Sequence, residues 1–281
     1  MAFVTLEGTR FHYQQAGQGP DVVLIHAVTS NLAVWLFINL LDTLAAKFRV
    51  TAYDLRGHGL SEATPGGYTS ADMAADLRRL HAALGLGPAF LVGHSFGGVV
   101  AMHAAALYPE LVAGVILSDT YFPGLAAVEP NPGEADVWRE LRESFGRVGV
   151  ELGEAVDFTL LFRVVAELTP QQKDGLKGIM GPGSVRWLGQ LPRLADTTCG
   201  ADVFAAAGLT ADRLAGVRQP VAALYDEHTP FGATRRWLVE HLPDCRVDTV
   251  AGAKHVAPLQ NAPAFVGLVQ KYLREFARKD V

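Results

Sequence analysis

Gly93-His94-Ser95-Phe96-Gly97 decides the reading of this chain. The segment stands between the apolar run Phe90-Leu91-Val92 and the long apolar stretch from Phe96 to Leu107. The first predicts a buried strand and the second a helix. A G-x-S-x-G segment at such a junction is a sharp strand-to-helix turn that exposes the serine hydroxyl, with glycines where side chains would clash. The helix N-terminus behind Ser95 favours developing negative charge. Ser95 is therefore the candidate nucleophile. No lysine follows the second glycine, so the turn is not a phosphate-binding loop.

A serine nucleophile needs a base, and the base needs an orienting carboxylate. Where the serine sits on this kind of turn, the acid and the histidine come later in the chain. Gly252-Ala253-Lys254-His255 lies after the last expected strand, which makes His255 the candidate base.

Outward from the turn, short apolar runs alternate with amphipathic ones. Strands are expected at Val22–Ile25, Arg49–Tyr53, Phe90–Val92 and Val112–Leu117, with helices at Leu32–Ala46, Ser70–Leu84 and Phe96–Leu107. That alternation predicts βαβ units and a parallel sheet buried on both faces. At the start, Phe3–Leu6 and Arg10–Gln14, separated by Gly8, suggest an antiparallel hairpin. From about residue 122 to 199 no convincing strand appears. Pro130-Asn131-Pro132-Gly133 reads as a loop, and Glu134–Val148, Glu154–Leu168, a segment capped by Thr169-Pro170, and Val185–Leu194 read as helices. The pattern resumes with a strand at Val221–Leu224, a helix near Ala233–Leu242, a strand at Arg246–Val250 and a closing helix at Pro263–Ala277. The economical reading is one α/β core, residues 1–121 and 200–281, carrying a helical cap at 122–199.

In this light the sequence resembles the α/β-hydrolase family over nearly its whole length. His26 at a strand end is similar to the family's oxyanion-loop His-Gly element. Asp54-Leu55-Arg56-Gly57-His58-Gly59-Leu60-Ser61 is similar to its D-x-R-G-x-G-x-S turn. Residues 93–97 resemble its nucleophile elbow, and residues 252–255 its histidine loop. The resemblance implies a mostly parallel eight-stranded sheet flanked by helices. It also implies an oxyanion hole built from the backbone N–H groups of Val28 and Phe96. Asp54, Arg56, Gly57 and Ser61 are read as holding their turn rather than touching substrate.

The chain departs from the family pattern twice. Ala27 follows His26 where glycine is usual; an alanine forced to an unfavourable φ would be strained by about 1 kcal/mol. Thr229, in Asp226-Glu227-His228-Thr229, stands where the family's aspartate is expected. Asp119, in Leu117-Ser118-Asp119-Thr120, is the favoured replacement: the resemblance implies it, since some α/β-hydrolases place their acid there, and it ends a strand at the carboxyl edge of the sheet, where sites collect. Glu227 and Asp226 are the alternative acids.

The 281 residues are 49% hydrophobic and 19% charged, which excludes disorder. A net charge of -5 without basic blocks argues against nucleic acid and anionic membranes as partners. Two cysteines, Cys199 and Cys245, are too few for a disulfide framework and suggest a reducing compartment. Glu7 arrives early at an N-terminus without a basic segment, so no signal peptide is expected. No run of about 18 apolar residues occurs. A cytoplasmic protein, monomeric or homodimeric, acting on a small molecule is the expectation. No metal-ligand spacing is visible, and no cofactor is expected.

Over Ser95 the cap is expected to act as a lid. Trp138, Phe158, Phe162, Met180 and Trp187 are candidates for lining an apolar pocket, with His26 beside them. The expected activity is hydrolysis of a carboxylic ester or lactone of a small to medium apolar substrate. Diketone C–C cleavage, thioester cleavage, or a non-catalytic small-molecule-binding role are the alternatives, because the fold alone does not separate them.

Overall fold

The computed structural model describes residues 2–129, 136–181 and 183–278. Eight strands form one sheet: β1 (Ala2–Leu6), β2 (Thr9–Ala16), β3 (Asp21–Ile25), β4 (Arg49–Tyr53), β5 (Ala89–His94), β6 (Val112–Ser118), β7 (Val221–Asp226) and β8 (Cys245–Val250). Their spatial order is β1-β2-β4-β3-β5-β6-β7-β8. The first two strands form the hairpin and pair antiparallel, β2 onto β4; every other pairing is parallel. β3, β5 and β7 are buried at every residue. This is what their unbroken apolar runs require, since helices cover both faces of a parallel sheet.

The helices before β7 are α1 (Ala33–Phe37), α2 (Leu40–Ala45), α3 (Ser70–Leu84), α4 (Phe96–Leu107), α5 (Asp136–Gly146), α6 (Phe158–Glu167), α7 (Pro170–Met180), α8 (Gly183–Leu188), α9 (Cys199–Asp202) and α10 (Ala211–Ala215). After it come α11 (Gly232–His241), α12 (Ala257–Gln260) and α13 (Ala262–Ala277). One core cluster lies on each side of the sheet. The larger reaches from Val23 and Val115 up to Trp138 and Phe162; the other holds Leu24, Trp35, Phe265 and Leu273.

Local chemistry moved several expected boundaries. The single helix expected over Leu32–Ala46 is two, because Asn39 takes φ 55 between α1 and α2. α3 is capped by Thr69, whose hydroxyl accepts from the Asp72 N–H in a capping box. Ser70 is instead buried, with its hydroxyl 2.9 Å from His103 Nδ1. The helix expected over Val185–Leu194 is α8 followed by a 3-10 turn at Leu191–Leu194. The loop expected at Pro130-Asn131-Pro132-Gly133 lies outside the described residues. Helices α5 to α10 lie in the chain between β6 and β7, and several of their side chains come to rest over the end of β5.

The Asp54 turn fixes the sheet beneath the site. One Asp54 oxygen accepts from Leu32 N–H at 2.7 Å; the other takes His12 Nδ1–H at 2.7 Å and Leu60 N–H at 2.8 Å. A Cβ on Gly59, where φ is 51°, would overlap that carboxylate. Arg56 forks onto Asp76 at 3.0 and 2.6 Å. All these contacts are within the protein, which fits a structural turn.

Candidate active site

Three loops at the carboxyl edge of the sheet bring the relay together. Ser95 follows β5, Asp119 follows β6 and His255 follows β8. Ser95 Oγ lies 3.1 Å from His255 Nε2, and His255 Nδ1 lies 2.8 Å from Asp119 Oδ2. A carboxylate only accepts, so Nδ1–H donates to Asp119 and Nε2 is left to accept from the Ser95 hydroxyl.

All three residues hold positive φ: 51° at Ser95, 42° at Asp119 and 64° at His255. Non-glycine residues avoid that region by about 1–3 kcal/mol each, so the surroundings must impose it. At the elbow they do so by close packing. A Cβ on Gly93 would overlap the Gly97 carbonyl oxygen, and a Cβ on Gly97 would overlap that of Ile25. The Ser95 N–H donates to the Ser118 carbonyl at 2.8 Å, and the Asp119 N–H to that of Leu224 at 2.9 Å. Each turn is thus anchored on the neighbouring strand.

The alternative acids are engaged elsewhere. The Glu227 carboxylate accepts from the Gly252 N–H at 2.7 Å. Asp226 accepts from the Ala257 N–H at 3.1 Å. Neither is bonded to the imidazole. Thr229, at the family's usual acid position, uses its hydroxyl to accept from the Phe231 N–H at 3.1 Å.

Val28 and Phe96 both line the cavity beside Ser95. The strain expected at Ala27 is not there. In this loop the positive φ falls on Thr29, at 67°. His26 sits behind the loop, not on the cavity wall as expected. Its Nδ1–H donates to the Ala27 carbonyl at 2.7 Å, and its Nε2 accepts from the Leu55 N–H at 3.0 Å. Accepting at Nε2 requires a neutral ring, and burial lowers its pKa in that direction.

Above Ser95 opens a cavity of about 450 Å³. Trp138 and Leu141 of α5, Phe158 of α6 and Trp187 of α8 line one side; Tyr121 and Phe231 line the other. Phe158 is the hub of the upper wall. It stacks on Phe162 at 5.9 Å and on Phe204 at 5.4 Å, and meets the edge of Trp138 at 6.4 Å. Two expected wall residues are not there. Phe162, one turn beyond Phe158, points into the core behind it and is 1% exposed. Met180 ends α7 on the surface, 37% exposed.

Other lining residues carry no motif that a sequence would reveal. Phe231 packs edge-on against the His255 ring at 5.4 Å. His94, the variable residue of the elbow, has its pKa pushed down to about 3, chiefly by burial and then by His255. Arg186 is the one lining side chain with a permanent charge, and its guanidinium has no ion-pair partner among the described residues. Also among the described residues, no group of three His, Cys, Asp or Glu side chains could hold a metal ion. No helix there is long and apolar enough to cross a membrane.

Residues 20–165 match the alpha/beta hydrolase fold family. A pimeloyl-[acyl-carrier protein] methyl ester esterase of Chromobacterium violaceum is 34% identical over 266 residues, covering 92% of this chain and 95% of that one. The chain belongs to the alpha/beta hydrolase family. This alpha/beta hydrolase is also 42% identical to a 2-(acetamidomethylene)succinate hydrolase of Mesorhizobium japonicum, over 106 residues that cover 38% of this chain and 37% of the other. Among solved structures, a thermophilic esterase from Thermogutta terrifontis superposes on the hydrolase with a TM-score of 0.69 at 22% identity, covering 98% of this chain and 99% of that one. At that identity the likeness is one of fold.

Proposed function

We propose that this hydrolase cleaves a carboxylic ester or lactone whose acyl part is small to medium in size and apolar, through an acyl-enzyme on Ser95. The observation that carries the reading is the relay from Ser95 through His255 to Asp119 at the floor of a cavity walled mainly by aromatic and aliphatic side chains. Similarity to a methyl ester esterase along nearly the full chain supports the same bond type. The segment 122–199 is read as a lid, because side chains of α5, α6 and α8 form the upper wall.

In the proposed reaction His255 Nε2 takes the Ser95 proton as Oγ attacks the carbonyl carbon. Asp119 holds the Nδ1–H tautomer and stabilises the imidazolium that forms. The oxyanion is held by the N–H groups of Phe96 and Val28, each donor being typically worth about 3–4 kcal/mol in such sites. His255 then protonates the leaving alcohol, or the ring oxygen of a lactone. It next activates a water that releases the acid from Ser95.

The test is a panel of short and long p-nitrophenyl esters and lactones, with β-diketones as the contrasting class. Ser95→Ala should abolish turnover and fluorophosphonate labelling while leaving the circular dichroism spectrum unchanged. Wild-type protein that stays folded but neither labels nor turns over any member of the panel would favour a non-catalytic binding role. Full activity in Ser95→Ala would remove the serine mechanism.

A further inference from the structure

Beneath the relay lies a second buried carboxyl that the mechanism above does not use. Asp226, the last residue of β7, is 0% exposed, as is Asp119. The Asp226 backbone N–H donates to Asp119 Oδ1 at 3.1 Å. That oxygen is the one not taken by His255, so the two carboxyl residues are joined directly. Asp226 Oδ2 accepts from the N–H of Ala257, two residues beyond His255. Among the described residues, Asp226 Oδ1 is buried without a hydrogen-bond partner.

One residue therefore touches both the acid and the loop that carries the base. We propose that Asp226 is a positioning residue that holds a proton, so that the negative charge of the carboxyl pair resides on Asp119 facing His255. The inference rests on the relay assigned above.

The physical reasons are local. A buried carboxylate needs several donors; Asp226 has one, and an oxygen left bare. The Asp119 carboxylate acts on Asp226 from the neighbouring strand end, and a like charge there opposes its ionisation. Burial and then the Asp119 charge push the Asp226 pKa up to about 7. The titratable groups acting on Asp226 are Asp119 from the end of β6 and His255 from the loop after β8. Glu227, next in the chain, is turned to the Gly252 N–H. Val250, the β8 partner of Asp226, and Ala257, whose N–H it accepts, are apolar. A neutral Asp226 leaves His255 paired with one negative charge. When Asp226 ionises, a second negative charge favours the imidazolium and withdraws the neutral base that Ser95 needs.

Asp226→Asn mimics the protonated acid and decides the matter. Both proteins are assayed with a p-nitrophenyl ester from pH 5 to 9 and unfolded thermally over the same range. The plateau kcat of Asp226→Asn should stay within about threefold of wild type, with the acid limb of kcat/KM moved down by roughly half a pH unit or more. The melting-temperature difference, variant minus wild type, should grow in the variant's favour as pH rises from 5 toward 7 and level off above it, because only wild type carries a group whose folded pKa is raised. Superimposable pH profiles, or a melting difference that does not change with pH, would overturn the proposal. A purely structural Asp226 would shift stability by the same amount at every pH. The unfolding arm needs no turnover, so it decides the proton on Asp226 even if no ester is cleaved, whereas loss of turnover in wild type bears only on the hydrolytic reading.

Discussion

Asp119 accepts from His255 Nδ1 at 2.8 Å across 136 positions of sequence, while the carboxylates of Asp226, the last residue of β7, and of Glu227 beside it accept from backbone N–H groups. The carboxylate bonded to the imidazole thus stands at the end of β6. Asp119→Asn should preserve the fold and lower kcat by about 10⁴, because the amide favours the wrong imidazole tautomer. Glu227→Gln should stay within about threefold of wild type, since its bond to Gly252 N–H survives as a neutral one. Steady-state kinetics on the two purified variants check this; a crippled Glu227→Gln beside an active Asp119→Asn would reverse the assignment.

The elbow is predicted to tolerate no side chain at its second glycine. In Gly97→Ala the new Cβ would overlap the Ile25 carbonyl oxygen, so β3 and α4 must separate. A loss of about 2 kcal/mol or more is expected, together with lower kcat from a displaced Ser95. Denaturant unfolding and ester kinetics report the two effects. Gly146→Ala is the control: its Cβ would meet nothing within 4 Å, and it lies at the end of α5.

Arg186, without an ion-pair partner among the described residues, brings a positive charge to the described cavity wall. An ester bearing a distal carboxylate should therefore bind better than its methyl-capped counterpart. Arg186→Gln should raise KM for the anionic ester by about fivefold and leave the neutral one unchanged, the modest size reflecting an exposed guanidinium. Equal KM changes for both esters would assign Arg186 to the lid's structure instead.

Four buried histidines should make the protein acid-sensitive. Burial lowers the pKa of His26, pushes His58 and His94 down to about 3, and His103 to about 4. Their folded values lie below the unfolded value of 6.5, so the unfolded chain binds more protons as pH falls. Stability from these groups is complete above 6.5 and is lost progressively toward 3. Asp226 acts with the opposite sign, its folded pKa being raised, so its contribution is lost as pH rises toward 7. Calorimetric melting temperatures from pH 4 to 8 should fall on the acid side, and less steeply in His58→Gln.

Much of this was legible in the chain, for physical reasons tied to particular residues. The unbroken apolar runs of β3, β5 and β7 announce strands buried on both faces. Gly93 and Gly97 announce the elbow because a Cβ at either position has nowhere to go. The order of Ser95 before His255 follows from the order of strands in a doubly covered sheet. Those are local or topological constraints, and each leaves a mark on residue type.

The cavity wall and the second carboxyl left no such mark, and the acid left only its place at a strand end. Asp119, Asp226 and Glu227 are all carboxylates near strand ends, and only the side-by-side packing of β6 and β7 decides which one meets His255. Phe158 and Phe162 sit four residues apart on α6, yet one faces the cavity and the other the core, because helix orientation is set by what the helix packs against. The strain assigned by type to Ala27 falls on Thr29, where the loop turns. Sequence fixes which groups exist and which elements carry them. Their charge states and pairings depend on distances between strand ends far apart in the chain, and those exist only once the sheet is assembled.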